Sequence, residues 1–181
     1  MNAVLGGAFD PPHNGHVALA RAAVADGGFA RLFVEVVEQP GHKRTFAPPD
    51  ARLALARAAF EDIPGATVEL DPNPFTVDSV RDGRFDDAVF LIGADEAHDF
   101  LTWKEPDEIV RHVKLGVANR SGYPEPDLVE RYGERVVAFR IASPPISSRE
   151  IRERVARGEP IDGLVPRKVA GLIAELDLYR S

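Results

Sequence analysis

The residues best suited to chemistry are concentrated in one stretch near the start of the chain, Gly6-Gly7-Ala8-Phe9-Asp10-Pro11-Pro12-His13-Asn14-Gly15-His16. His13 and His16 are three positions apart, so their imidazoles face the same side as the chain enters a helix. The first turn of such a helix has unpaired N–H groups and the positive end of a dipole, which together suit a phosphate. Gly6 and Gly7 predict a sharp backbone turn that a ligand can approach without meeting a Cβ. Two imidazoles, free amides and a tight turn make a cradle for a polyphosphate.

Other groups could join it. In Gln39-Pro40-Gly41-His42-Lys43-Arg44 the Pro and Gly content predicts an exposed loop, and the basic triplet is either a solvated turn or a second phosphate clamp. Thr76, within Asn73-Pro74-Phe75-Thr76-Val77-Asp78-Ser79-Val80, reads as the cap of a short helix. In Leu91-Ile92-Gly93-Ala94-Asp95 a carboxylate follows a glycine turn; it can accept hydrogen bonds from ribose hydroxyls or cap the next helix. Trp103, the single tryptophan, is a buried anchor or an aromatic platform. In Pro145-Ile146-Ser147-Ser148-Arg149-Glu150-Ile151-Arg152, Ser147 and Glu150 have the spacing of a capping box. The same helix start offers free N–H groups, two hydroxyls and Arg152 one turn in, a set able to hold phosphates.

These groups need a scaffold. Short apolar runs at Val4-Leu5, 31–37, 67–70, 88–92, 115–118 and 136–140 read as strands, and the continuously apolar 88–92 as a central parallel one. Helical patterns lie between them at 15–25, 50–61, 96–101, 106–111 and 126–131, and a further one follows Pro166. Such alternation predicts an α/β fold, a Rossmann-like doubly wound, mostly parallel sheet with a small C-terminal helical segment, in one domain spanning 1–181. Ligands of such sheets sit beyond the carboxyl ends of the strands, where the opening stretch falls. The net charge of −7 argues against a nucleic-acid partner. The absence of cysteine excludes disulfides and thiolate metal sites. No apolar run approaches membrane-spanning length, and the first residues do not read as a signal peptide, so a cytoplasmic location is expected.

The opening string resembles the G-G-x-F-D-P-x-H-x-G-H signature of the nucleotidyltransferase superfamily. Pro40-Gly41-His42-Lys43, the Thr76 segment, the spacing Gly93-x-Asp95…Trp103…Ile109, Arg120-Ser121-Gly122-Tyr123 and Ile146-Ser147-Ser148-x-x-Ile151-Arg152 are similar to motifs of bacterial nicotinate mononucleotide adenylyltransferases, in the same order. That family usually has proline where this chain has Gly41, a difference expected to loosen the loop. Pro74, Phe75, Ser79 and Arg149 also depart from its commonest residues.

The resemblance implies transfer of the adenylyl group of ATP to nicotinic acid mononucleotide, giving deamido-NAD and pyrophosphate by direct in-line attack. It implies an ATP site at Gly6, Gly7, Phe9, His13, His16, Gly93, Asp95, Ile146, Ser147, Ser148 and Arg152. The acceptor site would comprise Ala8, Phe9, His42, Lys43, Thr76, Trp103 and Arg120, with His13, His16, Lys43 and Arg152 as the catalytic groups. Mg2+ would be held mainly by the ATP phosphates, with no metal site in the chain itself, and a homo-oligomer is compatible with the sequence. Acid-only and dual acid/amide specificity both stay open. Other readings are a phosphopantetheine adenylyltransferase, which usually has Thr in place of His13 and lacks the Trp103 spacing, and a cytidylyltransferase, which would show Arg-Thr-x-Gly-Ile-Ser-Thr near Ser147. From a different class, an inactive nucleotide-binding sensor would have lost His16 or Arg152.

Overall fold

Six strands form one sheet: β1 (Asn2–Gly7), β2 (Arg31–Val37), β3 (Ala66–Asp71), β4 (Val89–Gly93), β5 (Lys114–Asn119) and β6 (Val136–Arg140). Their order in the computed structural model, which describes residues 1–119, 125–142 and 145–180, is β3-β2-β1-β4-β5-β6. Every neighbouring pair is parallel, so the sheet is wholly rather than mostly parallel. The helices are α1 (Asn14–Gly27), α2 (Pro49–Phe60), α3 (Thr76–Val80), α4 (Ala94–Asp99), α5 (Pro106–His112), α6 (Pro126–Tyr132), α7 (Ser148–Ala156) and α8 (Arg167–Glu175). The helix expected over 96–101 is shorter and starts earlier, and Phe100–Thr102 forms a 3-10 turn at its end.

Alternation along the strands sends side chains to two faces, and each face is covered by helices. Leu5, Val34, Val36 and Leu91 pack with Leu19, Phe60, Ile151 and Ile173 of α1, α2, α7 and α8 on one face. Val4, Phe90, Ile92 and Val117 pack with Val77, Phe100, Ile109 and Leu128 on the other. The chain reverses its winding between β1 and β4, whose register pairs Ala3 with Val89 and Val4 with Phe90. At such a switch point the loops leaving the two strands turn to opposite faces and open a crevice between them. The Gly6–His16 stretch leaves β1 at that crevice, and Gly93-Ala94-Asp95 leaves β4 beside it. No helix among the described residues is long and apolar enough to cross a membrane.

One charged side chain holds the carboxyl edge together. Arg52 of α2 has no exposed surface, because it lies on the same helix face as buried Leu55, Ala56 and Ala59. Its guanidinium donates to four main-chain carbonyls: Ala8 (2.8 Å), Val37 (2.8 Å), Glu38 (2.6 Å) and Ala47 (3.1 Å). These belong to the turn after β1, the end of β2 and the start of α2. Arg52→Met keeps most of the side-chain volume but strands buried acceptors, at about 1–3 kcal/mol for each. Urea unfolding should show a loss of at least about 3 kcal/mol. A loss under 1 kcal/mol would mean that water satisfies these carbonyls.

Candidate active site

The turn after β1 is not built as its two glycines suggest. Neither Gly6 nor Gly7 adopts a left-handed conformation; both continue β1. A Cβ at Gly6 would lie 3.0 Å from the Phe90 ring, and one at Gly7 would lie 3.2 Å from the Phe9 ring. Their smallness therefore serves close packing of aromatic rings. The reversal is made at Phe9, whose φ of 48° is in the left-handed region, followed by a cis Asp10–Pro11 bond. Phe9 is buried, with its ring edge-on to His16 at 5.1 Å and to Phe60 at 5.6 Å. Ala8 beside it is also buried, its carbonyl taken by Arg52.

His13 caps α1 from an extended backbone, and its main-chain N–H donates to His16 Nδ1 at 3.1 Å. An Nδ1 that accepts leaves the proton of a neutral imidazole on Nε2, so His16 presents an N–H donor at its far end. The two rings stack at 3.7 Å with 25° between their planes. Burial lowers the His13 pKa to about 4, and His16 is also pushed well below the usual range by burial, then by His13 and Lys43. Both rings are therefore neutral near pH 7, which permits the close stack. His13 Nδ1 is buried and has no hydrogen-bond partner among the described residues. A polyanion placed against this pair would supply that partner and favour the protonated forms.

Helix α7 approaches the same turn from the other end of the sequence. Arg152 Nη1 donates to the Asp10 carbonyl at 2.6 Å, and Ser148 Oγ donates to the Pro11 carbonyl at 2.8 Å. Ser147 is the N-cap, accepting from Glu150 N at 3.2 Å. The expected capping box is only half formed, because the Glu150 carboxylate pairs with Arg154 at 3.0 Å instead of turning back to Ser147. Ile146 is half-buried against the core. Arg149 points to solvent and pairs with Glu153 at 2.8 Å, one helical turn along.

His42 and Lys43 are exposed in the loop between β2 and α2, and both burial and Lys43 lower the His42 pKa. Gly41 does not loosen this loop. Its N–H donates to the Pro74 carbonyl at 3.0 Å, and a Cβ there would lie 2.3 Å from the Phe75 ring. Proline at 41 would lose that donor and meet the ring, so Gly41 and Phe75 are matched to each other.

On the far side of β1, Thr76 is the first residue of α3, and Phe75 holds the cap position expected of Thr76. Asp78 pairs with Lys104 at 3.1 Å and Arg81 at 3.5 Å, a structural use. Trp103 is half-buried, with ring contacts to Phe100 at 5.2 Å and Phe90 at 6.4 Å. It is thus both anchored and partly open. Gly93 caps α4, and Asp95 is exposed in the first turn of that helix rather than acting as its cap. A Cβ at Gly93 would lie 2.7 Å from Glu96 Oε2. Arg120 lies outside the described residues.

Sequence reasoning passed over several residues that build the site. Asp10 is buried, and its carboxylate accepts from Phe46 N (2.6 Å), Ala47 N (3.1 Å) and Tyr179 Oη (2.8 Å). Phe46, although exposed, lies under the Arg152 guanidinium at 4.2 Å. The readable signal was Arg52, a cation on the apolar face of α2. Nothing local announces the partnership of Asp10 with Tyr179.

The neutrality of the histidine pair can be checked directly. In a nitrogen-detected NMR titration, His13 in the free protein should stay neutral until pH falls to about 4. Because folding lowers this pKa, the group costs stability as pH falls from its unfolded value towards the folded one. Added inorganic triphosphate should raise the midpoint by at least about one unit. An unchanged midpoint with triphosphate bound would place the anion elsewhere.

Comparison with known proteins gives the chain's family. The cytidylyltransferase-like family matches residues 4–154. The chain is 37% identical to a probable nicotinate-nucleotide adenylyltransferase of Thermus thermophilus, over 98% of each chain. It is 35% identical to the corresponding Bordetella avium protein, over 98% of this chain and 96% of that one. The structure of Plasmodium falciparum nicotinic acid mononucleotide adenylyltransferase complexed with NaAD superimposes with a TM-score of 0.79 at 14% identity, over 98% of this chain and 96% of that one. That last likeness is one of fold. With its signature turn, paired histidines and α7 arginine in place, the chain belongs to the nicotinate-nucleotide adenylyltransferase family of cytidylyltransferase-like proteins.

Proposed function

We propose that the protein transfers the adenylyl group of ATP to nicotinic acid mononucleotide, forming deamido-NAD and releasing pyrophosphate. The observation that carries this reading is the convergence of His13, His16, Ser148 and Arg152 on the turn leaving β1. These are neutral or cationic donors gathered where a triphosphate can meet two helix N-termini. A phosphate oxygen of the mononucleotide attacks the α-phosphorus, and the bond from that phosphorus to the oxygen shared with the β-phosphorus breaks. The leaving pyrophosphate carries away the electron pair. No side chain needs to become covalently attached, so catalysis consists of positioning and charge stabilisation.

His16 offers its Nε2–H to the α-phosphate, where negative charge builds as the nucleophile arrives. His13, stacked against His16, takes the neighbouring phosphate. Ser147, Ser148 and Arg152 hold the leaving pyrophosphate. Lys43, near enough to His16 to depress its pKa, closes over the phosphates with His42. Asp95 receives the ATP ribose hydroxyls, and Trp103 and Thr76 face the pyridine ring.

Mg2+ would be held mainly by the ATP phosphates. The carboxylate nearest the cradle, Asp10, is already committed to three donors, and among the described residues no three His, Cys, Asp or Glu side chains gather as a cation site. The ion would offset charge on the phosphates. These substrates are small phosphorylated metabolites, which suits a cytoplasmic enzyme.

The reading is tested by pyrophosphate release from ATP and Mg2+ with nicotinic acid mononucleotide, nicotinamide mononucleotide or phosphopantetheine as acceptor. Release with the acid is expected. Equal release with the amide would make the enzyme dual-specific, and release with phosphopantetheine alone would replace the acceptor. His16→Ala should lower kcat by about 100-fold or more, the cost of losing one transition-state donor, in protein that remains folded at the assay temperature. Turnover near that of the wild type would remove His16 from the chemistry. Trp103→Ala should raise KM for the mononucleotide about tenfold, as loss of one stacking ring does, and leave KM for ATP within about twofold. Equal damage to both would make Trp103 a core anchor.

A further inference from the structure

Tyr179, almost at the end of the chain, donates its hydroxyl to Asp10 Oδ1, 169 positions away in sequence. Asp10 is the point where two parts of the site meet. Its carboxylate takes the N–H groups of Phe46 and Ala47, three and four residues beyond Lys43. Its carbonyl takes Arg152 Nη1. Phe46, held by Asp10, in turn supports the Arg152 guanidinium from below at 4.2 Å. One residue therefore sets both the loop that carries Lys43 and the arginine on α7.

We propose that Tyr179 is a positioning residue for adenylyl transfer, which through Asp10 holds the Lys43 loop and Arg152 in register with the phosphates. Of the three donors to the Asp10 carboxylate, two are main-chain groups of the loop itself. Tyr179 is the one that comes from outside it, so it ties the loop to the body of the protein. The chain bends to bring it there. Tyr179 has a φ of 64°, a left-handed conformation that residues with a Cβ seldom adopt, and Asp177, at 50°, turns the chain at the end of α8. The Leu178 N–H closes that turn on the Ile173 carbonyl at 3.0 Å. Burial raises the phenol pKa, so the hydroxyl remains a donor throughout the working pH range. The groups facing it are the Asp10 carboxylate and the Arg152 and Arg52 guanidiniums.

The proposal rests on the adenylyl-transfer reading for its kinetic consequence but not for its structural one. Tyr179→Phe removes one hydroxyl and keeps the ring. It should lower kcat/KM for ATP about tenfold, the low end of what loss of an orienting partner costs. In a Lys43→Ala background the same change should cost clearly less, about threefold, because one of the two groups being positioned is gone while Arg152 remains. In a Trp103→Ala background the tenfold loss should persist. Full additivity with Lys43→Ala would overturn the proposal, since a general loss of stability acts alike in every background.

The loop also carries its own readout. Limited trypsin digestion should cut after Lys43 or Arg44 several times faster in Tyr179→Phe than in the wild type, at matched melting temperatures. Equal cleavage rates would show that the loop does not need Tyr179. Because cleavage requires no substrate, a wild-type protein silent in the pyrophosphate assay would sink the functional reading while leaving the latch itself open to test.

Discussion

The site depends on a buried guanidinium. Taking Arg52 wholly out of water is costly, and the burial that lowers its pKa is a measure of that cost. What offsets it is geometric: four carbonyl oxygens, from three separate segments, must all point at one planar fork. A fork can be satisfied only if those segments keep fixed positions relative to one another. The turn after β1, the end of β2 and the loop entering α2 are thus set as one unit. The wall of the crevice beside β1 inherits its shape from a residue buried behind it. Asp10, close enough to favour the Arg52 charge, extends the unit to Tyr179 and to α7.

Charge is distributed on the same logic. The chain as a whole is acidic, at −7, yet the groups gathered at the cradle are neutral or cationic. Holding His13 and His16 uncharged solves a packing problem, since two imidazolium rings stacked at 3.7 Å would repel each other. Arg152 and Lys43 contribute fixed charge from opposite sides, one anchored to a carbonyl and an aromatic face, the other on an exposed loop.

Departures from the family pattern turn out to be paired with neighbours. Gly41 in place of proline is matched by the Phe75 ring that fills the space a side chain would need. Arg149 is answered by Glu153 on the solvent face of α7. Gly6 and Gly7 keep their identity for a reason other than flexibility, as each sits under an aromatic ring. In each instance the residue type was informative but the neighbour that explains it came from another segment.

Local pattern was enough to determine the alternation of strands and helices, the all-covered central strand at β4, the placing of His13, His16 and Ser147 at helix starts, and Arg152 one turn into its helix. These follow from periodicity, turn chemistry and helix-terminus electrostatics, which act over a few residues. The family resemblance was legible for the same reason, since its motifs are short strings on single loops. Tertiary structure decided what those signals leave open. It chose Phe9 over the glycines as the turning residue, made Arg52 and Asp10 the hubs of the site, and gave Glu150 to Arg154 rather than to Ser147. It also brought Tyr179 to Asp10. Each of these outcomes depends on which donors and acceptors are buried together, and burial is a property of the packed chain that no local stretch of sequence contains.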